Sequence, residues 1–285
     1  MGILGLWPFL KRKGYEAALF HQHPALLNTL EPGRKLLIDV QGCIFSTIRY
    51  AYSSCATDDE AHVVVERKLE EFATSSNSVL YLDGSPAEEK MLTHKHREET
   101  RSKALSAADA STAVLMDRVN GNLRVRKQHF LTISKLLRKA FYWSPEARRA
   151  LAQHLRTKGW TVIECSTEAD IKIACDCESG DVVISGDSDM LIHKNVRTIW
   201  RPISRRRFLV YEIPEVLAAL GINRDQLTVL GLVSHNDYNR NIYGLGCAAN
   251  FRIIKELDGG GMFSHIDQMH AILRSLLCRS PSHMC

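Results

Sequence analysis

Short apolar runs rich in β-branched residues alternate along this chain with segments of helical periodicity. Apolar positions three and four apart predict helices at residues 61–72, 130–142 and 145–158. Strands separated by helices are typical of a mainly parallel sheet covered by helices, so we expect an α/β fold. The apolar runs predict strands at residues 35–40, 79–83, 160–165, 181–185 and 197–200.

The segment at residues 86–126 departs from this alternation, because it is polar and rich in both charges. It predicts a helical insertion, which we place at residues 90–127. Beyond Tyr211 the periodicity is wholly helical, and residues 241–246 are typical of a tight turn that opens a helix. The expected organisation is therefore a sheet domain in two halves around this insertion, followed by a helical element, with divisions at residues 1–89, 90–127, 128–232 and 233–285.

Basic residues are concentrated in two runs, although the chain as a whole is only mildly basic. The net charge is +5 over 285 residues, and the pI is about 8.7. Residues 118–139 contain seven Lys or Arg, and residues 194–207 contain six, with no acid in either run. Such runs are commonly solvated surface, but beside a carboxylate-rich remainder they favour a polyanionic partner. Since neither run has the pattern of an amphipathic helix with a bulky apolar face, we expect nucleic acid rather than a membrane.

The eight cysteines show no spacing typical of a disulfide framework, so we expect reduced thiols in an intracellular protein. Cys165, Cys175 and Cys177 raise the possibility of zinc, but the Cys-x-Cys spacing matches no common zinc module. No stretch approaches the length of a membrane span. The apolar start at residues 1–10 is followed, rather than preceded, by basic residues at 11–13, which argues against a signal peptide.

Acidic residues follow several of the predicted strands. In an open α/β sheet, ligands bind beyond the carboxyl ends of the strands, so acids at these positions converge if their strands are parallel neighbours. Taken singly, each acid has a simpler interpretation, as a turn residue or as a helix cap. The acids are Asp39, Asp83, Asp187 and Asp189 directly after strands, Glu168 and Asp170 at a helix start, and Asp237 before the glycine-containing turn.

Converging carboxylates raise one another's pKa unless a cation binds among them. Oxygen ligands without His or Cys favour Mg²⁺ or Mn²⁺ over zinc. Two such ions, roughly 3.5 to 4 Å apart, can activate a water and stabilise both the attacking and the leaving oxygen at a phosphate. The acids taken together therefore predict phosphodiester hydrolysis.

Seven short motifs resemble those of the flap endonuclease and XPG-type family of structure-specific nucleases, a branch of the PIN-like folds. They come in the family's order over essentially the whole chain. The motifs are MGILGLW at residues 1–7, LIDV at 37–40, YLDG at 81–84, EAD at 168–170, GDSDML at 186–191, NDY at 236–238 and YGLG at 243–246.

The resemblance implies a PIN-like nuclease domain with a helical arch and a C-terminal helix-two-turn-helix element. It implies that Lys90 and Arg97, at the start of the arch, act on the scissile phosphate. Their spacing of seven residues places both on one face of a helix. Both residues could instead be solvated charges. The resemblance further implies two Mg²⁺ ions, which Mn²⁺ can replace, bound by Asp39, Asp83, Glu168, Asp170, Asp187, Asp189 and Asp237.

DNA contacts are implied at several further positions. Gly2 belongs to the opening motif, and Phe45 matches an aromatic residue that stacks on a base, although an apolar helical Phe is more often a core residue. Tyr243, Gly244 and Gly246 match the turn that grips duplex phosphates together with a monovalent cation, expected to be K⁺.

The three consecutive arginines Arg205, Arg206 and Arg207 are the densest part of the second basic run. We expect them to contact DNA phosphates. The alternative is a solvated hairpin between the strand ending at Trp200 and one near residues 208–211.

This chain departs from the family pattern at three places. Asp170 stands where the family usually has Glu, and Ile171 follows it where a small residue is common. Residues 234–236, Ser-His-Asn, replace the usual Gly-Ser before the last Asp-Tyr. We also find no sliding-clamp motif in the sequence.

The expected function is a monomeric, nuclear, Mg²⁺-dependent endonuclease that cuts flap, bubble or junction DNA at single-strand/double-strand junctions. One alternative is a PIN-like nucleic-acid-binding protein that is inactive or acts on RNA, although all seven acids are retained. A phosphatase-like enzyme for small substrates is a third possibility, against which the basic runs and the arch count.

Overall fold

The computed structural model describes residues 2–13, 15, 18–21, 33–85, 90–204, 207–236 and 245–256. The chain divides into two compact units. The first contains Met1–Cys43 and Asp170–Cys285, and the second contains Ile44–Ala169.

Seven strands are present in the described part of the chain. In chain order they are β1 (Ala18–His21), β2 (Leu36–Asp39), β3 (Ser78–Leu82), β4 (Thr161–Glu164), β5 (Val182–Ile184), β6 (Thr198–Ser204) and β7 (Arg207–Glu212).

Along the chain, α-helices precede, separate and follow these strands. They are α1 (Leu6–Arg12), α2 (Val40–Ser54), α3 (Asp58–Glu70), α4 (Met91–Asn120), α5 (Lys127–Ala140), α6 (Pro145–Thr157), α7 (Ala169–Asp176), α8 (Ile213–Leu220), α9 (Arg224–Val233) and α10 (Cys247–Lys255).

The strands of the first unit follow the order β1-β7-β6-β5-β2. Strand β5 lies parallel to both of its neighbours, with Val182 opposite Leu36 of β2 and Thr198 of β6. Strands β6 and β7 form an antiparallel hairpin, and β1 pairs antiparallel with β7 at the edge. All residues of β2 and β5 are buried, as expected of parallel strands that are covered on both faces.

The second unit contains the parallel pair β3 and β4, with Val79 opposite Thr161. Strand β3 is buried along its whole length. Helices α3 and α6 supply core residues such as Leu69 and Leu151, each with no exposed surface. Helix α6 begins where the sequence predicts, because the Ser144 hydroxyl accepts a hydrogen bond from the Ala147 amide and Pro145 occupies the first turn.

The predicted α/β class, with its mainly parallel strands and its helical insertion, is confirmed. All five predicted strands are present, although β6 continues to Ser204, beyond the predicted residue 200. Strand β1 was not predicted from the sequence. It has only four residues and pairs with β7 at the sheet edge. Such a short segment has neither the length nor the alternation of apolar and polar residues that makes a strand recognisable in a sequence.

The helical insertion continues past residue 127. Helix α4 packs against α5, and its buried residues Ala104, Ala108 and Leu115 lie four and seven residues apart on one face. We expected no amphipathic helix in the basic run at residues 118–139, and this expectation is wrong, because the run includes most of α5. The apolar residues of α5 recur with helical periodicity, but none of its residues is buried, and Phe130 is 56% exposed.

In the described part of the chain, no single helix is long and apolar enough to cross a membrane. The bent pair of α8 and α9, with an angle of 83° between the two helices, meets the same criteria of length and composition. Both helices contribute buried residues, among them Val216 and Leu230, to the core of the first unit.

Candidate active site

Asp39 is the last residue of β2, and its carboxylate is 6% exposed. Because β2 and β5 are parallel and Ile38 lies opposite Ile184, the residues that follow each strand meet at the same edge. Ser185 therefore reaches Asp39, and its hydroxyl donates a hydrogen bond of 2.8 Å to Oδ2. The Gly42 amide donates to Oδ1 at 2.8 Å.

Glycine at position 42 permits this close approach. A Cβ atom there would lie 2.0 Å from Asp39 Oδ2 and 2.8 Å from Ser185 Oγ. Both oxygens of Asp39 are therefore fixed by donors, in a space that no larger residue at position 42 could share.

Asp187 lies two residues beyond Ser185 and is half-buried. Its amide donates to Ser185 Oγ at 3.0 Å, so one hydroxyl contacts both acidic residues. Asp187 also caps the short 3₁₀ helix Ser188–Ile192, since its Oδ1 accepts from the Asp189 amide at 3.1 Å. The simpler interpretation as a cap is thus correct for Asp187, and it is compatible with ligand binding because a carboxylate has further lone pairs.

The N-terminal segment packs against this acidic loop. The Trp7 Nε1 group donates to the Gly186 carbonyl at 3.2 Å, and the Ser188 hydroxyl donates to the Ile3 carbonyl at 3.2 Å. Gly2 adopts a φ of 96°, and a Cβ atom there would lie 1.9 Å from Asp187 Oδ1. In this structure Gly2 is therefore a close neighbour of an acidic residue.

Two further acids belong to the second unit. Asp83 follows β3, and its Oδ1 accepts a hydrogen bond of 2.8 Å from the Ala169 amide at the start of α7. The Arg148 guanidinium donates to the Asp83 carbonyl at 3.1 Å. Glu168 forms an ion pair with Lys90, and both side chains are largely buried.

The ion pair brings one predicted catalytic cation into direct contact with a predicted metal ligand. Lys90 is the residue that precedes α4, and Arg97 lies seven residues further on, half-buried. This spacing corresponds to two helical turns, so both side chains lie on similar faces of the helix.

Asp170 lies in the first turn of α7, and its Oδ1 accepts from the Ile171 amide at 2.8 Å. Asp237 is outside the described residues. Among the residues that are described, no group of three or more His, Cys, Asp or Glu is arranged to hold a metal ion. The predicted ligand set therefore stays a prediction.

The Cys43 thiol lies beside Asp39. Cys43 donates to the Ile184 carbonyl at 3.0 Å. Burial, together with the negative charge of Asp39, raises the pKa of the Cys43 thiol well above its usual range. Carboxylate oxygens are then the charged donors at this position, and such oxygens are the ligands that Mg²⁺ and Mn²⁺ prefer.

The zinc alternative gains nothing from the structure. Cys165 and Cys175 are free thiols, as are the other cysteines within the described ranges. Cys177 is buried, and burial raises the pKa of its thiol to about 11, so the thiolate that zinc requires is disfavoured.

Some of the predicted DNA contacts can be located. Phe45 is half-buried, with its ring centroid 6.1 Å from that of Phe141. Gly246 is exposed and precedes α10 with a φ of −80°, and Arg207 Nε donates to the Ser204 hydroxyl at 2.7 Å. The remaining predicted positions lie outside the described residues: Arg205, Arg206, Tyr243 and Gly244.

The unusual residues 234–236 have structural roles. Ser234 is fully buried and lies 3.3 Å from the Asn250 amide of α10. The His235 carbonyl accepts from the Leu4 amide at 2.8 Å, and Asn236 donates to the Gly231 carbonyl at 2.8 Å. This departure from the family pattern therefore ties the end of α9 to α10 and to the N-terminal segment.

Sequence reasoning missed the contacts of Ser185 and Trp7 with the acidic loop of the first unit, and the contact of Arg148 with Asp83 in the second. The only sequence signal for Ser185 was its position, directly after a buried strand and two residues before an acid. Which partner a serine meets at such a position depends on the neighbouring strand.

No family model matches the chain. Among curated proteins it is 24% identical to flap endonuclease 1-A of Physcomitrium patens over 239 residues, covering 79% of this chain and 57% of that protein. Flap endonuclease 1-B of the same organism is 24% identical over 244 residues, covering 79% and 65%. Flap endonuclease 1 of Glycine max is 31% identical over 108 residues, covering 36% and 28%. The chain thus spans less than two thirds of the length of these relatives.

Solved structures give the same answer for the fold. The catalytic core of Rad2 in complex with DNA substrate aligns with a TM-score of 0.57 at 16% identity, over 90% of this chain and 67% of that one. Human GEN1 in complex with Holliday junction DNA gives 0.56 at 14% identity, over 99% and 64%. Flap endonuclease-1 from Methanococcus jannaschii gives 0.53 at 18%, over 91% and 78%.

The class that the fold defines is therefore the PIN-like nuclease fold. More particularly, the chain has the fold of the flap endonuclease and XPG-type nucleases, and the resemblance of its motifs to that family is confirmed.

Proposed function

We propose that this protein is a structure-specific DNA endonuclease that hydrolyses phosphodiester bonds in flap, bubble or junction DNA. The observation that carries the proposal is the hydrogen-bonded acidic edge of the first unit. There Asp39 and Asp187 share the Ser185 hydroxyl, directly beyond two parallel strands. The fold shared with Rad2 and GEN1, both solved with DNA, supports nucleic acid as the substrate.

The acids are the residues that would hold two divalent ions, Mg²⁺ or Mn²⁺. When bound, such ions supply a nucleophilic water and stabilise charge on the phosphate oxygens. The chain itself contributes the arrangement of the carboxylate ligands. The Gly42 amide and the Ser185 hydroxyl hold the two oxygens of Asp39 in place by hydrogen bonds. The proposed ligands are Asp39, Asp83, Glu168, Asp170, Asp187, Asp189 and Asp237.

Lys90 and Arg97 are proposed to act on the phosphate itself. A cation aimed at a phosphate neutralises the charge that develops as the bond breaks, and it does so most effectively where water is excluded. The side chain of Lys90 is 12% exposed, so its charge is poorly screened by solvent. Its contact with Glu168 supports a location beside the acids.

The contacts with duplex DNA are proposed to come from two regions. Gly246 opens α10, where exposed backbone amides can bind phosphate; Tyr243 and Gly244 would complete that turn with a K⁺ ion. The arginines at 205–207 would add contacts from the β6–β7 hairpin. Gly2 and Phe45 are proposed to contact the DNA near the junction.

A nuclear, monomeric enzyme without a sliding-clamp motif remains the proposed setting. The similarity to flap endonucleases supports a role in DNA processing.

The test is cleavage of a panel of end-labelled DNAs: 5′ flap, bubble, four-way junction, hairpin and plain duplex, each with Mg²⁺, with Mn²⁺ and with EDTA. We expect metal-dependent cuts at junctions and little cutting of the duplex. Matching RNA substrates form the second arm. Cleavage confined to RNA, or tight binding of all substrates without cleavage of any, would support the alternative of a PIN-like RNA enzyme or an inactive binding protein.

A further inference from the structure

The Ser185 side chain contacts two of the acidic residues of the first unit. It lies directly after β5 and has no exposed surface. Its hydroxyl donates to Asp39 Oδ2 at 2.8 Å, and its oxygen accepts from the Asp187 amide at 3.0 Å.

The directions of these two bonds follow from the groups themselves. A backbone amide can only donate, so the Ser185 oxygen must accept from Asp187. The single hydroxyl hydrogen is then available for the Asp39 carboxylate, which when ionised can only accept. Each partner therefore uses a different part of one hydroxyl, and no other orientation satisfies both.

There is little free space around the Ser185 hydroxyl. A Cβ atom at Gly42 would lie 2.8 Å from Ser185 Oγ, and the Gly42 amide binds the other oxygen of Asp39. The carboxylate is thus held between two donors, one on each oxygen.

We propose that Ser185 is a positioning residue that sets the separation and orientation of Asp39 and Asp187 for binding a divalent cation. This inference rests on the proposed function, since it assigns both acids to the metal site. Ser185 touches neither substrate nor ion, and it acts through the two residues that it joins.

Removing the Ser185 hydroxyl should therefore lower the affinity for the cation strongly and lower the stability of the fold only modestly. In Ser185→Ala, the Asp187 amide loses its buried acceptor and Asp39 Oδ2 loses the hydroxyl that donates to it. Loss of a residue that orients a metal ligand typically lowers metal affinity by about 10- to 100-fold. Ser185→Thr keeps the hydroxyl and should restore most of that loss.

Ser78 offers a matched control. It is 3% exposed, it lies at the end of β3 opposite to Asp83, and its hydroxyl donates to the Thr74 carbonyl at 2.6 Å. Ser78→Ala thus removes the same group from an equally buried site, and it should lower thermal stability without changing cation affinity.

The experiment measures Mn²⁺ binding to the DNA-free protein by isothermal titration calorimetry and by electron paramagnetic resonance. The same proteins are assayed for single-turnover cleavage across a range of Mg²⁺ concentrations. We expect Ser185→Ala to bind Mn²⁺ about 10- to 100-fold more weakly, and to recover part of its cleavage rate at high Mg²⁺. Ser185→Thr should recover most of the Mn²⁺ affinity, and Ser78→Ala should bind Mn²⁺ as the unaltered protein does.

Binding of Mn²⁺ by folded Ser185→Ala with unchanged affinity would overturn the proposal and leave Ser185 a structural residue. If Ser185→Ala does not fold, Ser185→Cys takes its place, because the thiol fills the space but is a weak donor and acceptor. An unaltered protein that binds no Mn²⁺ would also overturn it. A protein that binds Mn²⁺ in a Ser185-dependent way but cuts no nucleic acid would refute the endonuclease and keep the positioning role.

Discussion

The acidic edge of the first unit and the helical hairpin of α4 and α5 in the second unit differ in how their side chains are held. At the acidic edge, Asp39 and Asp189 are each 6% exposed, and Asp39 is bonded on both oxygens. In the hairpin, α5 has no buried residue, and Phe130 and Val114 are 56% and 60% exposed.

The difference has a physical reason. Chemistry at a phosphate needs charged groups fixed before the reaction, because reorganising them costs free energy in the transition state. The exposed Lys135 and Arg138 of α5 keep their charged ends in water. The first region should therefore respond to single-atom changes, and the second should tolerate them.

The largest effect is expected at the acidic edge itself. Asp187→Asn and Asp189→Asn should each lower the single-turnover cleavage rate by on the order of 10³-fold or more, because each removes a charge that the proposed ions need. DNA affinity, measured by fluorescence anisotropy in Ca²⁺ or EDTA, should be unchanged or tighter. Near-normal cleavage by both variants in Mg²⁺ would show that these acids are not ligands.

The next effect concerns Arg97, which lies on the hairpin but is assigned to the chemical step. Arg97→Ala should slow single-turnover cleavage at saturating protein by about 10²-fold, the typical cost of removing one stabilising charge from a transition state. The salt dependence of binding should hardly change. A slower rate that disappears at higher protein concentration would instead make Arg97 a binding residue.

The third prediction compares packing. Leu151→Ala, in the core of the second unit, should lower the free energy of unfolding by about 2–5 kcal/mol, since it leaves a cavity. Phe130→Ala on the exposed face of α5 should change it by less than about 0.5 kcal/mol. Urea denaturation followed by circular dichroism gives both values. If Phe130→Ala lowered the free energy of unfolding about as much as Leu151→Ala, the exposed face of α5 would have to be covered in solution.

The smallest effect is expected from the second basic run. Replacing Arg205, Arg206 and Arg207 together by Ala should lower the slope of log K against log salt by up to about 0.9 for each duplex phosphate contact that is lost. The cleavage rate at saturating protein should stay the same. Arg149→Ala removes an exposed charge outside both runs and should leave the slope unchanged. An unaltered slope in the triple variant would identify the run as a solvated hairpin.

Much of the fold is local enough to be predicted from the sequence. Buried runs such as the one ending at Asp39 alternate with helical segments, and this alternation defines an α/β fold before any contact is known. The same pattern places Asp83 and Asp187 after strands, because a strand end is visible in the sequence. The amphipathic character of α5 was missed, because the basic residues of this run outweighed its apolar positions until the helix was seen to pack against α4.

The sequence by itself thus determined the order of the strands along the chain, the acids that follow them and the two basic runs. The tertiary structure decided which groups meet. Ser185 bonds to Asp39 across 146 positions, and Lys90 pairs with Glu168 across 78. Periodicity reports only how a residue faces its own helix or strand, whereas these contacts depend on which strand lies beside which. That neighbour is fixed by the packing of the whole sheet, so the hydroxyl that joins two acids could not be recognised from the sequence alone.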